Sequence, residues 1–501
     1  MTAPQEESGP PQGEQLRNPN DRPECFSSTL QECLFVLTTT MAIAQTSFFE
    51  GLVLVVSASI GKDLNMSSAE ITWITAGVSL TSGAFLLAFG KVADMFGRRI
   101  MFMASMAGFT VALVIAGFAN AAIYMDVFSG VMGIFCASAV PPAVGSLGVV
   151  YSKPSKRKNR AFACFSAGNP LGYVGGMIIS GVASQVGNWR IAIWTLAVIY
   201  AIFTFLAVWT VPNDPPMAKA KLNWQSMKRL DPIGMLLAIS GIALFSTAIS
   251  TAGDASNGWK TPYVILLLVL GIVLIAAFLF WESRYSTPLM PLYVWRDRNF
   301  SLLIASLCLG FMGFISKITA RLLPMIINGI LVNVVCGLIL HKVSNKLLML
   351  IGATAYMTAF LIMSFTPDDG TYWVWYFVPL MLMVVGADTE FNVVNMYVMS
   401  SLPSSDQSLA GGIFNTASKF CANTSLGITT AVYNSVRNQG PASPIKPYLS
   451  TYWFAAASAG LGVFLIPFLK LGTQGHEDKT NSSDEDTLDT PNVGANAETK
   501  I

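Results

Sequence analysis

The chain has 501 residues, of which 53% are apolar and only 12% charged. Soluble chains carry about 25% charged residues, so half that density cannot clothe a water-facing surface of this size, and a soluble enzyme is excluded. A formal charge of +2 and two histidines likewise exclude a strongly basic nucleic-acid face and any mechanism built on a histidine cluster.

The elements follow in chain order. Residues 1–33 are polar, acidic and proline-rich and carry no cleavable signal; they read as a disordered tail. Apolar segments come next at about 34–59, 71–89, 100–119, 122–149, 161–186 and 191–211, a first group of six within 34–211. Two more, 232–251 and 262–281, lie in a linker over 212–298. A second group of six within 299–470 runs 299–316, 322–340, 347–365, 372–398, 410–435 and 450–469, and residues 471–501 form an acidic Ser/Thr/Asn-rich tail. Each crossing takes roughly 20 apolar residues, so fourteen fit with room for short loops. The tightest place is 299–340, where only about Lys317 to Arg321 remain for a turn: either a very short hairpin or a chain that lacks residues here.

Lys and Arg fix the expected orientation. With the N-terminus inside, only Lys62, Arg190, Lys260, Arg437 and Lys446 fall outside, against a roughly fourfold excess inside that includes Lys91, Arg98, Arg99, Lys153 and Arg157. Both termini are therefore expected to be cytoplasmic. On this topology Asn65-Met66-Ser67 is an external glycosylation acceptor, close to the membrane. None of the seven cysteines falls in a stretch placed outside the membrane, so no disulfide framework is implied and they read as small buried apolar side chains.

Between the second and third segments stands Gly90-Lys91-Val92-Ala93-Asp94-Met95-Phe96-Gly97-Arg98-Arg99. Gly90 and Gly97 permit a tight turn, Arg98 and Arg99 hold the loop inside, and Asp94 suits a neighbouring helix N-terminus, where a carboxylate is favoured. This loop, with Gly90, Ala93, Asp94, Gly97, Arg98 and Arg99, resembles the signature of the major facilitator superfamily. The helix count, with Trp73-Ile74-Thr75-Ala76-Gly77 and the basic stretch His341 to Lys346, is similar to its fourteen-helix drug:proton antiporter branch, particularly the fungal members. The resemblance implies an all-α polytopic membrane fold of two six-helix bundles plus two extra helices, a plasma-membrane monomer, and a small lipophilic substrate moved against protons. That branch carries a longer stretch where Gly313 to Arg321 stands here. The fifth segment resembles the family's exporter helix through Gly168, Pro170, Gly172, Gly175 and Gly176, an outer-gate helix on that reading and ordinary small-residue packing on the other.

Charges in the bilayer interior are expensive and call for a role. Glu50 lies in the first segment, Asp388 and Glu390 in the twelfth, Lys419 in the thirteenth. Asp388 and Lys419 fall at similar depths and are expected to pair, while Glu390 is about 200° away around its helix. Each group reads either as a structural lock or as a member of a proton-coupling set. Phe48, Phe49, Tyr173, Phe391 and Tyr397, with Asn392 and Asn395 for polar contacts, are the candidates for a substrate cavity. No glycine-rich nucleotide loop and no paired metal ligands occur, so neither a cofactor nor an enzyme activity is expected. The expected function is proton-coupled export by alternating access; uptake and a non-transporting membrane sensor are the alternatives.

Overall fold

The computed structural model describes residues 20–185, 187–214, 229–252, 255, 258–311, 323–340, 342–368, 370–437 and 445–471. The first six-helix group runs α1 (Thr29–Asp63), α2 (Ser68–Phe96), α3 (Arg98–Ala116), α4 (Ala122–Val150), the broken fifth crossing α5 (Lys156–Ser166) and α6 (Gly168–Gln185), and α7 (Trp189–Thr210). The two linker helices are α8 (Pro232–Ala252) and α9 (Pro262–Glu282). The second group follows as α10 (Arg298–Phe311), α11 (Leu323–Ile339), α12 (Asn345–Ser364), α13 (Val378–Ser400), α14 (Gln407–Arg437) and α15 (Lys446–Leu465).

Local chemistry sets several helix starts. Ser28 caps α1 by accepting the Gln31 amide, and Ser67 and Glu70 close a reciprocal capping box on α2. Asn65, exposed and with φ of 51°, makes the turn between them. Because α1 begins at Thr29, the expected tail of 1–33 is shorter than read. Phe26 is buried, and buried Glu32 is held by Arg157 and by Tyr151. Residues 1–19 and 472–501 lie outside the described residues.

Among the described residues, eleven helical stretches are long and apolar enough to cross a membrane, α5 and α6 counting as one. Arg298–Gly310 and Asn328–Ile339 are shorter apolar helices, and α14 is long but studded with Asn415, Thr416, Ser418, Lys419 and Asn423. At 1.5 Å per residue α10 extends about 21 Å and α11 about 26 Å, short of a ~30 Å hydrocarbon core. The turn expected near Lys317–Arg321 lies outside the described residues.

The two groups pack alike. In the first, α3 lies against α4 and α7, α2 against α4, and α1 against α6 and α7; in the second, α12 lies against α13 and α15, α11 against α13, and α10 against α14 and α15. The groups meet where α2 and α4 touch α14, and where α5 and α6 touch α11. Helix α8 lies across this seam on both α2 and α14, with Phe245 stacked on Phe420 and Asn423 donating to the Ser246 hydroxyl at 3.2 Å.

Cysteine placement corrects the sequence reading. Cys136 and Cys336 are buried, but Cys25, Cys33 and Cys164 are exposed, and Cys308 of α10 is bonded to Cys421 of α14. Spacing along the chain carries no trace of a bridge 113 residues long.

The fifth-crossing glycines serve close approach to α1. A Cβ on Gly176 would stand 2.2 Å from the Phe48 carbonyl oxygen, and one on Gly172 2.8 Å from that of Ala44. Gly168 and Gly175 abut Ile43 and the Phe48 ring, whereas Gly181 faces open space. Gly176→Ala should therefore cost about 1–3 kcal/mol through overpacking, while Gly181→Ala should gain up to about 1 kcal/mol from helix propensity. Thermal unfolding of the detergent-solubilised variants checks the opposite signs.

Candidate functional site

The signature loop sits where the two groups meet. Asp94 at the end of α2 accepts the Leu409 amide at 2.8 Å and the Ser408 amide at 3.2 Å, so a carboxylate of the first group caps the first turn of α14 in the second. Arg98 pairs with Asp94 at 2.7 Å and donates to the Ser405 carbonyl at 2.8 Å and the Ser408 hydroxyl at 3.0 Å. Both side chains are almost wholly buried. Gly90 is required here, because a Cβ would lie 2.9 Å from the Ser408 carbonyl oxygen. Gly97 takes φ of 113°, in the region that disfavours other residues. Gly145 of α4 makes room for Ser408, and Ala93 is fully buried. Arg99 turns away, to Asn213 and to the Val208 carbonyl at 2.7 Å.

Further along the seam the structure redistributes the expected charges. Lys419 does not pair with Asp388: among the described residues neither is in an ion pair within 4 Å. The root of Lys419 lies on α2, its Cβ 3.3 Å from where Gly83 would carry one, and its charge acts on Glu50 of α1 and Cys136 of α4. Equal depth along two helices fixes height but not rotation, and α14 turns this lysine toward the first group. Glu50 is half-buried beside Tyr173, whose backbone closes over Gly51.

Asp388 stands at the other contact between groups. Its Oδ2 is 3.4 Å from the position a Cβ on Gly329 of α11 would take, and Pro170 of α6 lies 3.1 Å from that same position. Asn392 donates to the Asp388 carbonyl and to Asn333 Oδ1, both at 2.8 Å. Pro170 thus faces the second group, as does Ala163 of α5 against Gly337, whereas Gly168, Gly172, Gly175 and Gly176 pack on α1.

Glu390 is elsewhere, wholly buried inside the second group between Gly310, Gly352 and Tyr356, with neither carboxylate oxygen hydrogen-bonded. Phe48 packs edge-on against Tyr200 within the first group, Phe49 is fully buried, and Phe391 stacks edge-on with Phe414. Asn392 and Asn395 are buried, each with an unpartnered Oδ1. A cavity of about 300 Å³ lined by Tyr293, Asp297, Tyr397, Ser400 and Ser401 opens at the loop end, with Tyr397 donating to Asp297 at 2.6 Å. Tyr397 is about 13 Å from Asp388 along α13. Sequence reasoning missed Ser405, Ser408 and Leu409; the only signal was the Pro403-Ser404-Ser405-Asp406 stretch ahead of α14.

Residues 35–424 match the sequence profile of the Major Facilitator Superfamily. The chain belongs to this superfamily. Among its relatives, the low affinity ammonium transporter of Saccharomyces cerevisiae is 26% identical, over 81% of this chain and 82% of that one. The efflux pump terJ of Aspergillus terreus is 26% identical over 90% and 89%, and the multidrug transporter mdr3 of Aspergillus fumigatus 26% over 91% and 83%. Among solved structures, the proton:xylose symporter XylE superposes with a TM-score of 0.59 at 13% identity, covering 88% of this chain and 97% of that one. The human organic anion transporter MFSD10 does so with 0.58 at 12%, covering 87% and 99%. These two share the fold. The protein is an all-α, polytopic membrane transporter of the superfamily, with fungal efflux pumps among its relatives.

Proposed function

We propose that the chain exports a small lipophilic compound in exchange for protons by alternating access, from a plasma membrane in which both of its termini are cytoplasmic. The observation that carries this reading is Lys419 of the second group seated on α2 of the first, its Cβ 3.3 Å from where Gly83 would carry one, with Glu50 of α1 within range of its charge. The two charges belong to bodies that rock against each other, so their interaction changes with every cycle. A proton arriving on Glu50, or a lipophilic cation beside it, removes the attraction that holds Lys419 on the first group. Asp388, at the second contact between groups, offers a carboxylate to the same passage. Glu390 would couple from inside the second group through α12 and α13. Relatives named as efflux pumps support export as the direction.

Expression in a pump-deficient yeast, challenged with a panel of toxic lipophilic compounds, tests this: resistance to at least one class is expected. Unaltered sensitivity to every compound would count against export. Uptake of a small cation is the second reading, favoured by the likeness to an ammonium transporter; it predicts accumulation in the same cells.

A further inference from the structure

The cavity of about 300 Å³ at the loop end is built by the turn before α10 and the last turn of α13. Its lining is Tyr293, Val294, Asp297, Tyr397, Ser400 and Ser401. All six belong to the second group or to the turn that leads into it, so the first group contributes none of its walls. Asp297 is fixed in place because it starts α10. Its Oδ1 accepts the Asn299 amide at 2.9 Å and its carbonyl accepts the Ser301 amide at 3.1 Å. Val294 is buried and gives an apolar wall, while Tyr293 is 60% exposed at the opening.

Where the hydroxyl protons go decides what this cavity binds. The Tyr397 hydroxyl donates to Asp297 Oδ2 at 2.6 Å. The Ser400 and Ser401 hydroxyls both donate to the Tyr397 carbonyl, at 2.7 and 2.9 Å. A hydroxyl has one proton and two lone pairs, so these three oxygens and the carboxylate have only acceptors left for a guest. The end of α13 adds the same sign. Its last carbonyls carry the negative end of the helix dipole, and no basic residue stands in its last turn to answer them. Among the described residues no lysine or arginine lines the cavity. Arg298, next to Asp297, turns its guanidinium to the Phe468 ring, 5.8 Å from the centroid. The rings of Tyr293 and Tyr397 supply the π surface that organic cations prefer.

We propose that this cavity is a binding site for a small primary ammonium with an apolar body. The ammonium gives its N–H groups to Asp297, Ser400 and Ser401, and the body lies against Tyr293, Tyr397 and Val294. An anion meets lone pairs on every polar wall and is rejected. A quaternary ammonium keeps the charge but has no N–H to give, so it binds less well. The site is separate from the seam, because Asp388 lies nine residues from Tyr397 and so about 180° around α13. It rests neither on the direction of transport nor on Glu50 and Lys419.

The test is equilibrium binding of tritiated 2-phenylethylammonium to the full chain in phosphatidylcholine nanodiscs, with empty nanodiscs subtracted. Saturable binding is expected, weakened at least about tenfold in Asp297→Asn, as for one charge-assisted hydrogen bond. Asparagine at 297 still caps α10, so the helix start is kept. Tyr293→Ala, at an exposed residue, should weaken binding about threefold through the lost ring, and it carries the test if Asp297→Asn misfolds. Unlabelled trimethyl(2-phenylethyl)ammonium should compete less well than the primary amine, and 3-phenylpropanoate not at all. Phosphatidylethanolamine carries the same primary ammonium. Adding it to the nanodiscs raises the apparent Kd of the probe if the headgroup is the resident guest and leaves it unchanged if a free amine is; either result keeps the site. Binding that survives both Asp297→Asn and Tyr293→Ala, or equal competition by the propanoate, overturns the proposal. Binding lost in Glu50→Gln but intact in Asp297→Asn would place the probe at the seam and overturn it too.

Discussion

Asp94→Ala is expected to raise the hydrogen-exchange rate of the first-turn amides of α14 by a hundredfold or more, the largest effect of any single change on the sealed seam. Two losses coincide. The Ser408 and Leu409 amides lose their acceptor, worth about 1 kcal/mol for a cap. Arg98, with its side chain only 6% exposed, loses the carboxylate it pairs with, and removing one partner of a buried pair costs up to about 3–5 kcal/mol. Asp94→Asn should fall between the two, because an amide oxygen still accepts a backbone N–H while the ion pair is gone. Exchange mass spectrometry on a peptide spanning Ser405 to Asn415 reads both. Unchanged exchange in Asp94→Ala would show that the sealed end is held by the close packing at Gly90 and Gly145 instead.

Glu50→Gln is expected to reduce proton-coupled transport at least about tenfold, and Lys419→Met to do the same. Transport measured in proteoliposomes with ethidium as a lipophilic cationic probe, driven by an imposed pH gradient, reads the rate. With Glu50 neutral, Lys419 loses the attraction of that carboxylate and no proton can alternate with it. With Lys419 gone, a carboxylate in a low-dielectric setting lacks the cation that competes with the proton. Because both changes break one interaction, the double variant should be no worse than either single, a coupling that additive sites do not show. Singles that retain full transport, or a double whose loss is the product of two, would remove Glu50 and Lys419 from the coupling step.

Sequence made the class of fold legible because its signals are compositional. Charge scarcity, twenty-residue apolar runs and the Gly90–Arg99 loop all follow from what lipid demands of a chain, and they survive without any knowledge of packing. The role of Asp94 was legible too, since a carboxylate near a helix start has few alternatives. Rotation of one helix against another was not. Asp388 and Lys419 share a depth, and depth is all that a rise of 1.5 Å per residue supplies; the side toward which Lys419 points depends on how α14 sinks between α2 and α4. The fifth-crossing glycines were ambiguous for the same reason. Their spacing says that something approaches closely, and only the packed structure shows that it is α1 of the same group. Phe48, Phe49 and Phe391 illustrate the converse: an aromatic in a membrane helix carries no sequence mark that separates a ring in a packed core from one in a passage.

Lys419 of the second group is turned onto α2 of the first and away from Asp388. Cysteine cross-linking shows this, in a chain whose seven native cysteines are replaced by alanine. Cysteines at positions 83 and 419, whose Cβ atoms would stand 3.3 Å apart, should join under mild oxidation, while cysteines at 388 and 419 should not. A bridge between 388 and 419, with none between 83 and 419, would place the lysine on the other side of α14.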